Sequence, residues 1–216
     1  MNPDLQRILY FLPGVIIGLT FHELMHAFTA YKLGDPTAKE QGRLTLNPLK
    51  HIDPLGFIFI LIAGFGWAKP VQINRANLKH PKRDEALISV SGPAANLALA
   101  LVLSVFFSLT LHLTGIPYNR IADYPLLGVF LFSIYINFAL FIFNMLPIPP
   151  LDGSHLIFSA IKIKPETEAK IYRYGMLVFL GIIIVGRFAQ INLLPIGPVI
   201  EWMMRLVFSL LGVPPA

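Results

Sequence analysis

Four stretches of the chain stay apolar long enough to cross about 30 Å of hydrocarbon, a distance that takes roughly 20 helical residues. They run from about Ile8 to Tyr31, Ala86 to Leu113, Leu126 to Leu146 and Gly175 to Leu194. Two shorter apolar stretches, Leu55 to Trp67 and Ile196 to Leu211, need not span. The first has the length of a re-entrant or peripheral piece. In the second, Glu201, Arg205 and Ser209 recur at i, i+4 and i+8, one polar stripe on an apolar helix that can lie in the interface or pack on a neighbour. The pattern predicts an all-α polytopic membrane protein, a bundle of about four to six transmembrane helices with a re-entrant or short segment. Two loop pieces, "GRLTLNP" and "WAKPVQIN", are strand-like and bounded by Gly or Pro. They read as connecting structure, or as an exposed edge near the membrane that pairs with an extended substrate.

Composition agrees with the pattern: 55% of residues are hydrophobic and 13% charged, so the bilayer is a better solvent than water for most of the chain. No linker, charge block or internal repeat divides it, and residues 1–216 read as one integral-membrane domain. The absence of cysteine excludes disulfides and thiol nucleophiles, and leaves any metal to histidines and carboxylates. A net charge of +5 raises the question of nucleic acid. The basic residues, however, gather in loops beside the apolar stretches: Lys32, Lys39, Arg43 and Lys50; Lys69, Arg75, Lys79, Lys82 and Arg83; Lys162, Lys164, Lys170 and Arg173. If Leu55 to Trp67 dips in and returns, these loops share one side. The positive-inside rule makes that side the cytoplasm, puts the N-terminus outside and leaves no nucleic-acid partner to invoke. "MNPDLQR" lacks a basic n-region and a cleavage site, so the first apolar segment reads as a retained span.

Against this background "FHELMHAF" stands out. His22 and His26 are four apart, so on a helix they share a face at a spacing that can grip one metal ion, and Glu23 can reach a metal-bound water. The H-E-x-x-H pattern is that of zinc-activated hydrolysis with glutamate as general base. A chance match is disfavoured here, because an ionisable group at bilayer depth costs about 2.5 to 3.5 kcal/mol. Hydrolytic zinc needs a third protein ligand. In "NMLPIPPLDGSHL" the prolines break the helix and place Asp152 at an irregular point, either as that ligand or as a plain helix N-cap. His155, three residues on, can support Asp152 or replace it. "SGPAANL" puts a proline kink, small residues and Asn96 into the second span. At 1.5 Å per residue Asn96 lies about 16 Å in from Glu85, and His22 about 15 Å in from Lys32, so the two share a depth. Asn96 is either an interhelical hydrogen bond or a donor to a substrate oxyanion. His51, His80 and His112 read as interface residues.

Together, His22-Glu23-x-x-His26, Ser91-Gly92-Pro93-x-x-Asn96 and Asn144-x-x-Pro147-x-Pro149-x-Leu151-Asp152-Gly153 resemble the site-2 protease family of intramembrane zinc metalloproteases. "NPLKHIDPLG" and "GWAKPV" are similar to its compact prokaryotic branch, and no PDZ-like insertion or C-terminal regulatory domain is visible. The resemblance implies cleavage of a peptide bond within or next to a substrate's transmembrane helix, in a prokaryotic plasma membrane. It implies one Zn2+ on His22, His26 and Asp152, with Glu23 as catalytic base and Asn96 as a substrate or oxyanion contact. Glu23 would take a proton from the zinc-activated water and deliver it to the leaving amine. Two other classes remain: a metal or ion transporter using the His/Asp cluster, and a catalytically silent protein that binds membrane helices. Six histidines with one close pair are too few for a di-iron oxidase.

Overall fold

A computed structural model describes residues 3–63, 66–161, 163–189 and 195–213. In chain order the helices are α1 (Pro3–Lys32), α2 (Thr37–Glu40), α3 (Pro54–Ala63), α4 (Pro81–Thr114), α5 (Pro125–Asn144), α6 (Gly153–Ala160), α7 (Pro165–Ala189) and α8 (Gly197–Leu210), and no sheet occurs among the described residues. α1 from Ile8, α4 and α5 are long and apolar enough to cross a membrane. They correspond to the first three predicted spans. The fourth falls in α7 as far as Ala189, and its last residues lie outside those described. The chain is an all-α integral membrane protein.

The bundle turns apolar side chains outward and buries polar ones among its apolar core. On α4, Val102, Val105, Phe106 and Leu109 are exposed, while Asn96, Ser104 and Ser108 are buried; Ser133 and Asn137 are buried on α5. Facing hydrocarbon, the outer side chains lose nothing, whereas the inner polar groups must find partners within the bundle. α1 and α5 approach closely because Gly14 and Gly18 lie one turn apart. A Cβ on Gly14 would stand 2.7 Å from the Ser133 Cα, and one on Gly18 2.8 Å from the Leu140 Cδ1. Away from this contact, Phe107, Ile134, Phe138, Ile200 and Phe208 form the main apolar core of α4, α5 and α8. α8 thus packs on its neighbours and turns Glu201 and Arg205, 3.9 Å apart, outward.

In the segment Leu55 to Trp67 the described helix is short and its flanks come together, as expected of a piece that need not span. α3 has ten residues, about 15 Å of helix, too short to span. Its flanks meet: Ile52 bridges Ala68, the Lys69 N–H donates to the His51 carbonyl at 2.8 Å, and Phe59 packs on Trp67. Ile60 wedges the segment against Val15 and Ile136.

The two strand-like pieces are not strands. Apart from the single Ile52–Ala68 bridge, no ladder forms around them, because their backbone groups bond to side chains and turns. The Val71 N–H donates to Glu23 and the Asn74 N–H to Asp35, while Arg43 donates to the Lys69 carbonyl. Fully buried Asp35 also accepts from the Thr37 hydroxyl and the Asn77 amide, pinning residues 74–77 to the end of α1. Arg75 then ties α4 to α7 through Glu85 and Glu168, the second at 2.6 Å.

His51 is not at an interface; it is fully buried. Its Nε2 bonds the Thr45 carbonyl at 2.7 Å, and its Nδ1 has no partner. Burial pushes the His51 pKa down, the Arg43 charge adds to this, and the Thr45 bond opposes it. Below the unfolded value of about 6.5 the unfolded chain therefore takes a proton that the fold refuses. The contribution to stability is constant above that pH and falls towards acid, by at most about 1.4 kcal/mol per pH unit, until the folded pKa is passed. A thermal-midpoint series from pH 7 to pH 5 is expected to decline less steeply for His51→Gln than for wild type. Parallel curves would contradict the assignment.

Candidate metal centre

α1 carries His22, Glu23 and His26 on a continuous helix, and all three are buried. Each imidazole is fixed from behind by a bond to α4. Pro93 cannot donate to the Ser89 carbonyl and its ring crowds it, which loosens α4 at this level. One residue earlier, the Ile88 carbonyl accepts from His26 Nδ1 at 2.7 Å. A carbonyl can only accept, so His26 carries a proton on Nδ1, and in the neutral ring Nε2 is the atom free to ligate.

The same reasoning applies to His22 through a chain of amides. Asn137 Nδ2 donates to the Ser133 carbonyl, Asn96 Nδ2 donates to Asn137 Oδ1 and to the Gly18 carbonyl, and Asn96 Oδ1 faces His22 Nδ1 at 2.7 Å. The backbone carbonyls orient both amides, so Asn96 Oδ1 accepts from His22 Nδ1, and in the neutral ring His22 Nε2 is likewise the atom free to ligate. Asn96 and Asn137 are fully buried. Asn96 thus reaches the site predicted for it, with both its donor bonds and its acceptor spent on α1 and α5. Asn137 was not singled out by sequence; its signal would have been a lone amide within the most apolar span.

Asp152 begins α6 without capping it, since its side chain makes no hydrogen bond to the helix end. Instead its Oδ2 lies 3.1 Å from His22 Nε2 and 3.3 Å from His26 Nε2, while the two Nε2 atoms are 2.9 Å apart. Gly153 makes this turn possible, because a Cβ there would run into the Met145 and Leu146 carbonyls. Three ligand-capable atoms thus converge within 4.8 Å of one another, and Asp152 Oδ2 is buried with no hydrogen-bond partner, an arrangement that could hold a metal ion. Two imidazole nitrogens and a carboxylate oxygen are the donor set of hydrolytic zinc.

Glu23 stands beside this cluster without joining it. Its Oε2 accepts from the Val71 N–H at 3.1 Å and lies 3.4 Å from Arg43 Nη2. His155 packs on Tyr172, ring centroids 5.1 Å apart, and lines the cavity with the others while lying outside the His/Asp group. The cavity holds about 280 Å³ and is walled by the two histidines, Glu23, Asp152 and the extended residues Pro70 and Val71. It adjoins a larger apolar hollow of about 490 Å³ between α1, α5 and α7, to which Leu19, Phe143, Met176 and Phe179 contribute.

Comparison with known proteins gives the same direction. The model of Peptidase family M50 matches residues 10–186. The chain is 41% identical over 198 residues to the "Putative zinc metalloprotease YwhC" of Bacillus subtilis (strain 168), covering 90% of this chain and 85% of that protein. It is 31% identical over 187 residues to the "Putative zinc metalloprotease Rip2" of Mycolicibacterium smegmatis, covering 80% of this chain and 66% of that protein. It is 33% identical over 157 residues to the "Putative zinc metalloprotease MJ0611" of Methanocaldococcus jannaschii, covering 72% and 73%. No solved structure matches the chain. A His/His/Asp cluster that could hold a metal ion inside a membrane bundle and a family match over most of the length lead to one conclusion: the chain belongs to peptidase family M50, the site-2 proteases, and is a zinc metalloprotease.

Proposed function

We propose that the protein is an intramembrane protease, a single domain that hydrolyses a peptide bond within or next to a transmembrane helix of a membrane-protein substrate. The observation that carries this reading is the junction of the two cavities. A polar pocket holding the His/Asp cluster and Glu23 opens beside an apolar hollow lined by α1, α5 and α7, a suitable environment for an apolar helix whose end must reach polar groups.

In this reading His22, His26 and Asp152 hold one zinc ion per chain. Bound there, the ion supplies Lewis acidity and lowers the pKa of water towards about 7. Glu23 takes the proton of the attacking water and passes it to the leaving amine. Asn96, with Asn137 behind it, holds His22 in the tautomer that ligates, which is the interhelical reading of that amide rather than the oxyanion one. A helical substrate must unwind before its carbonyl is reachable, since its carbonyls are otherwise engaged in i to i−4 bonds. The extended residues Lys69–Asn74 along the pocket wall are the surface on which the unwound strand lies, the N–H groups of Lys69, Val71 and Asn74 being spent inward on His51, Glu23 and Asp35. In this reading the pocket faces the cytoplasm and the N-terminus lies outside, in a prokaryotic plasma membrane; the basic loops support the orientation.

The test is reconstitution in liposomes with a single-span reporter, together with metal analysis of wild type, His22→Ala and Asp152→Ala. Wild type is expected to carry about one zinc and to cut the reporter at a bond within or next to its span, as read by product mass; chelation and both variants are expected to abolish zinc and cleavage together. Cleavage confined to the reporter's soluble parts would sink the intramembrane reading. Metal flux without cleavage would replace it with a transporter.

A further inference from the structure

Arg43 differs from the lysines that flank the same loops. Lys32, Lys39, Lys50, Lys69, Lys79 and Lys82 are exposed, as charges that only orient a membrane protein should be, whereas Arg43 is 4% exposed. Burying a guanidinium is costly unless its charge is used. Its Nη2 donates to the Lys69 carbonyl at 2.5 Å and lies 3.4 Å from Glu23 Oε2. The carbonyl alone does not require a cation, because any neutral donor would satisfy it. The Val71 N–H, two residues along the same extended segment, reaches the same Oε2. Both donors therefore hold one carboxylate oxygen, and Oε1 makes no hydrogen bond to the described residues. A carboxylate clamped by one oxygen keeps the other as its basic atom and cannot swing into the cluster of ligands.

We propose that Arg43 is a positioning residue for Glu23, tying the orientation of the base to the extended segment Lys69–Asn74. The inference rests on the reading of Glu23 as general base. The guanidinium links two things the reaction needs together: the carboxylate that moves the proton and the backbone against which the substrate lies. His51, buried in the same loop layer with Nδ1 unpartnered, adds no charge there to compete with Arg43 for the carboxylate.

The experiment compares wild type, Arg43→Gln, Arg43→Lys, Glu23→Gln and the double variant Arg43→Gln/Glu23→Gln, in zinc form for kinetics and in cobalt form for visible absorption. Arg43→Gln is expected to keep about one metal per chain, to leave KM for the single-span reporter within about twofold and to lower kcat on the order of 100-fold. Lysine keeps the charge but not the planar fork, and should recover about tenfold of that loss. In the cobalt form Arg43→Gln is expected to shift the absorption bands, and the shift should vanish in the Glu23→Gln background, because the effect passes through that carboxylate. A wild-type kcat in Arg43→Gln, a loss carried by KM with no recovery by lysine, or a cobalt shift that persists without Glu23 would overturn the proposal. If the glutamine variant does not fold, Arg43→Lys decides alone: a kcat about tenfold below wild type at unchanged KM supports the proposal, and loss of metal or a wild-type kcat defeats it. A wild type that holds zinc but does not cut the single-span reporter would count against the intramembrane reading instead, and the cobalt comparison would still report whether Arg43 holds Glu23.

Discussion

Glu23→Gln is expected to lower turnover of a transmembrane reporter by about 10³-fold or more while the protein keeps about one zinc per chain. The glutamine has the size of the glutamate, and its carbonyl oxygen can still accept from the Val71 N–H, so the loop layer has no reason to move. The amide cannot take a proton, and the step in which water becomes a nucleophile loses its base. The metal should stay because Glu23 lies outside the cluster of His22, His26 and Asp152. Its partners are Val71 and Arg43, on the far side of the carboxylate from any ligand role. Metal analysis and single-turnover cleavage on the same preparation read both halves of this prediction. Turnover within tenfold of wild type would remove Glu23 from proton transfer, and loss of zinc would make it a ligand.

Gly92→Ala is expected to weaken zinc binding on the order of 100-fold without unfolding the protein. α4 crosses α1 so closely at this point that a Cβ would stand 2.6 Å from His26 Cε1 and 2.8 Å from His22 Cε1, nearer than side-chain carbons pack. The rings cannot retreat freely, since each is bonded from behind at 2.7 Å, His22 to Asn96 and His26 to the Ile88 carbonyl. Ligand atoms tolerate displacement of only about 0.2 Å, so a methyl group that moves either ring spoils the site. Alanine favours the helix over glycine by about 1 kcal/mol, which offsets part of the strain. Thermal unfolding of the metal-free proteins therefore separates the two effects: similar midpoints with much lower zinc occupancy are the expected result. Full occupancy in Gly92→Ala would mean that the helices part more easily than their packing implies.

The legible parts of this protein were those written in local pattern. The three long spans follow from runs of apolar residues, and the short α3 from a run too short to cross. His22 and His26 share a helix face because their spacing dictates it, and the matching depths put Asn96 at the level of His22 without naming the ring nitrogen as its partner. The family resemblance rested on three motifs in order, and the match to peptidase family M50 agrees with it. The strand-like pieces are the connecting structure they were read as, because their alternation describes an extended backbone, while a strand also needs a ladder partner. Here the partners are the carboxylates of Glu23 and Asp35 and the carbonyl of His51. Arg43 and His51 were counted as loop and interface residues because charge and position are visible in a sequence and burial is not.

Sequence by itself determined the solvent of each segment and the chemical types available for a site, because hydropathy and helical spacing depend only on neighbours along the chain. Tertiary structure decided which way each side chain is used. Asp152 could cap its own helix or join the histidines, Asn96 could face a substrate or a ring nitrogen, and Arg43 could mark a membrane face or hold a base. Each choice is made by groups from 20 to more than 120 residues away in the chain, brought within hydrogen-bonding distance by the packing of α1, α4, α5 and the loops between them. In a bundle without water, an unpaired polar group costs too much to be left to chance, so the partner found in space sets the role.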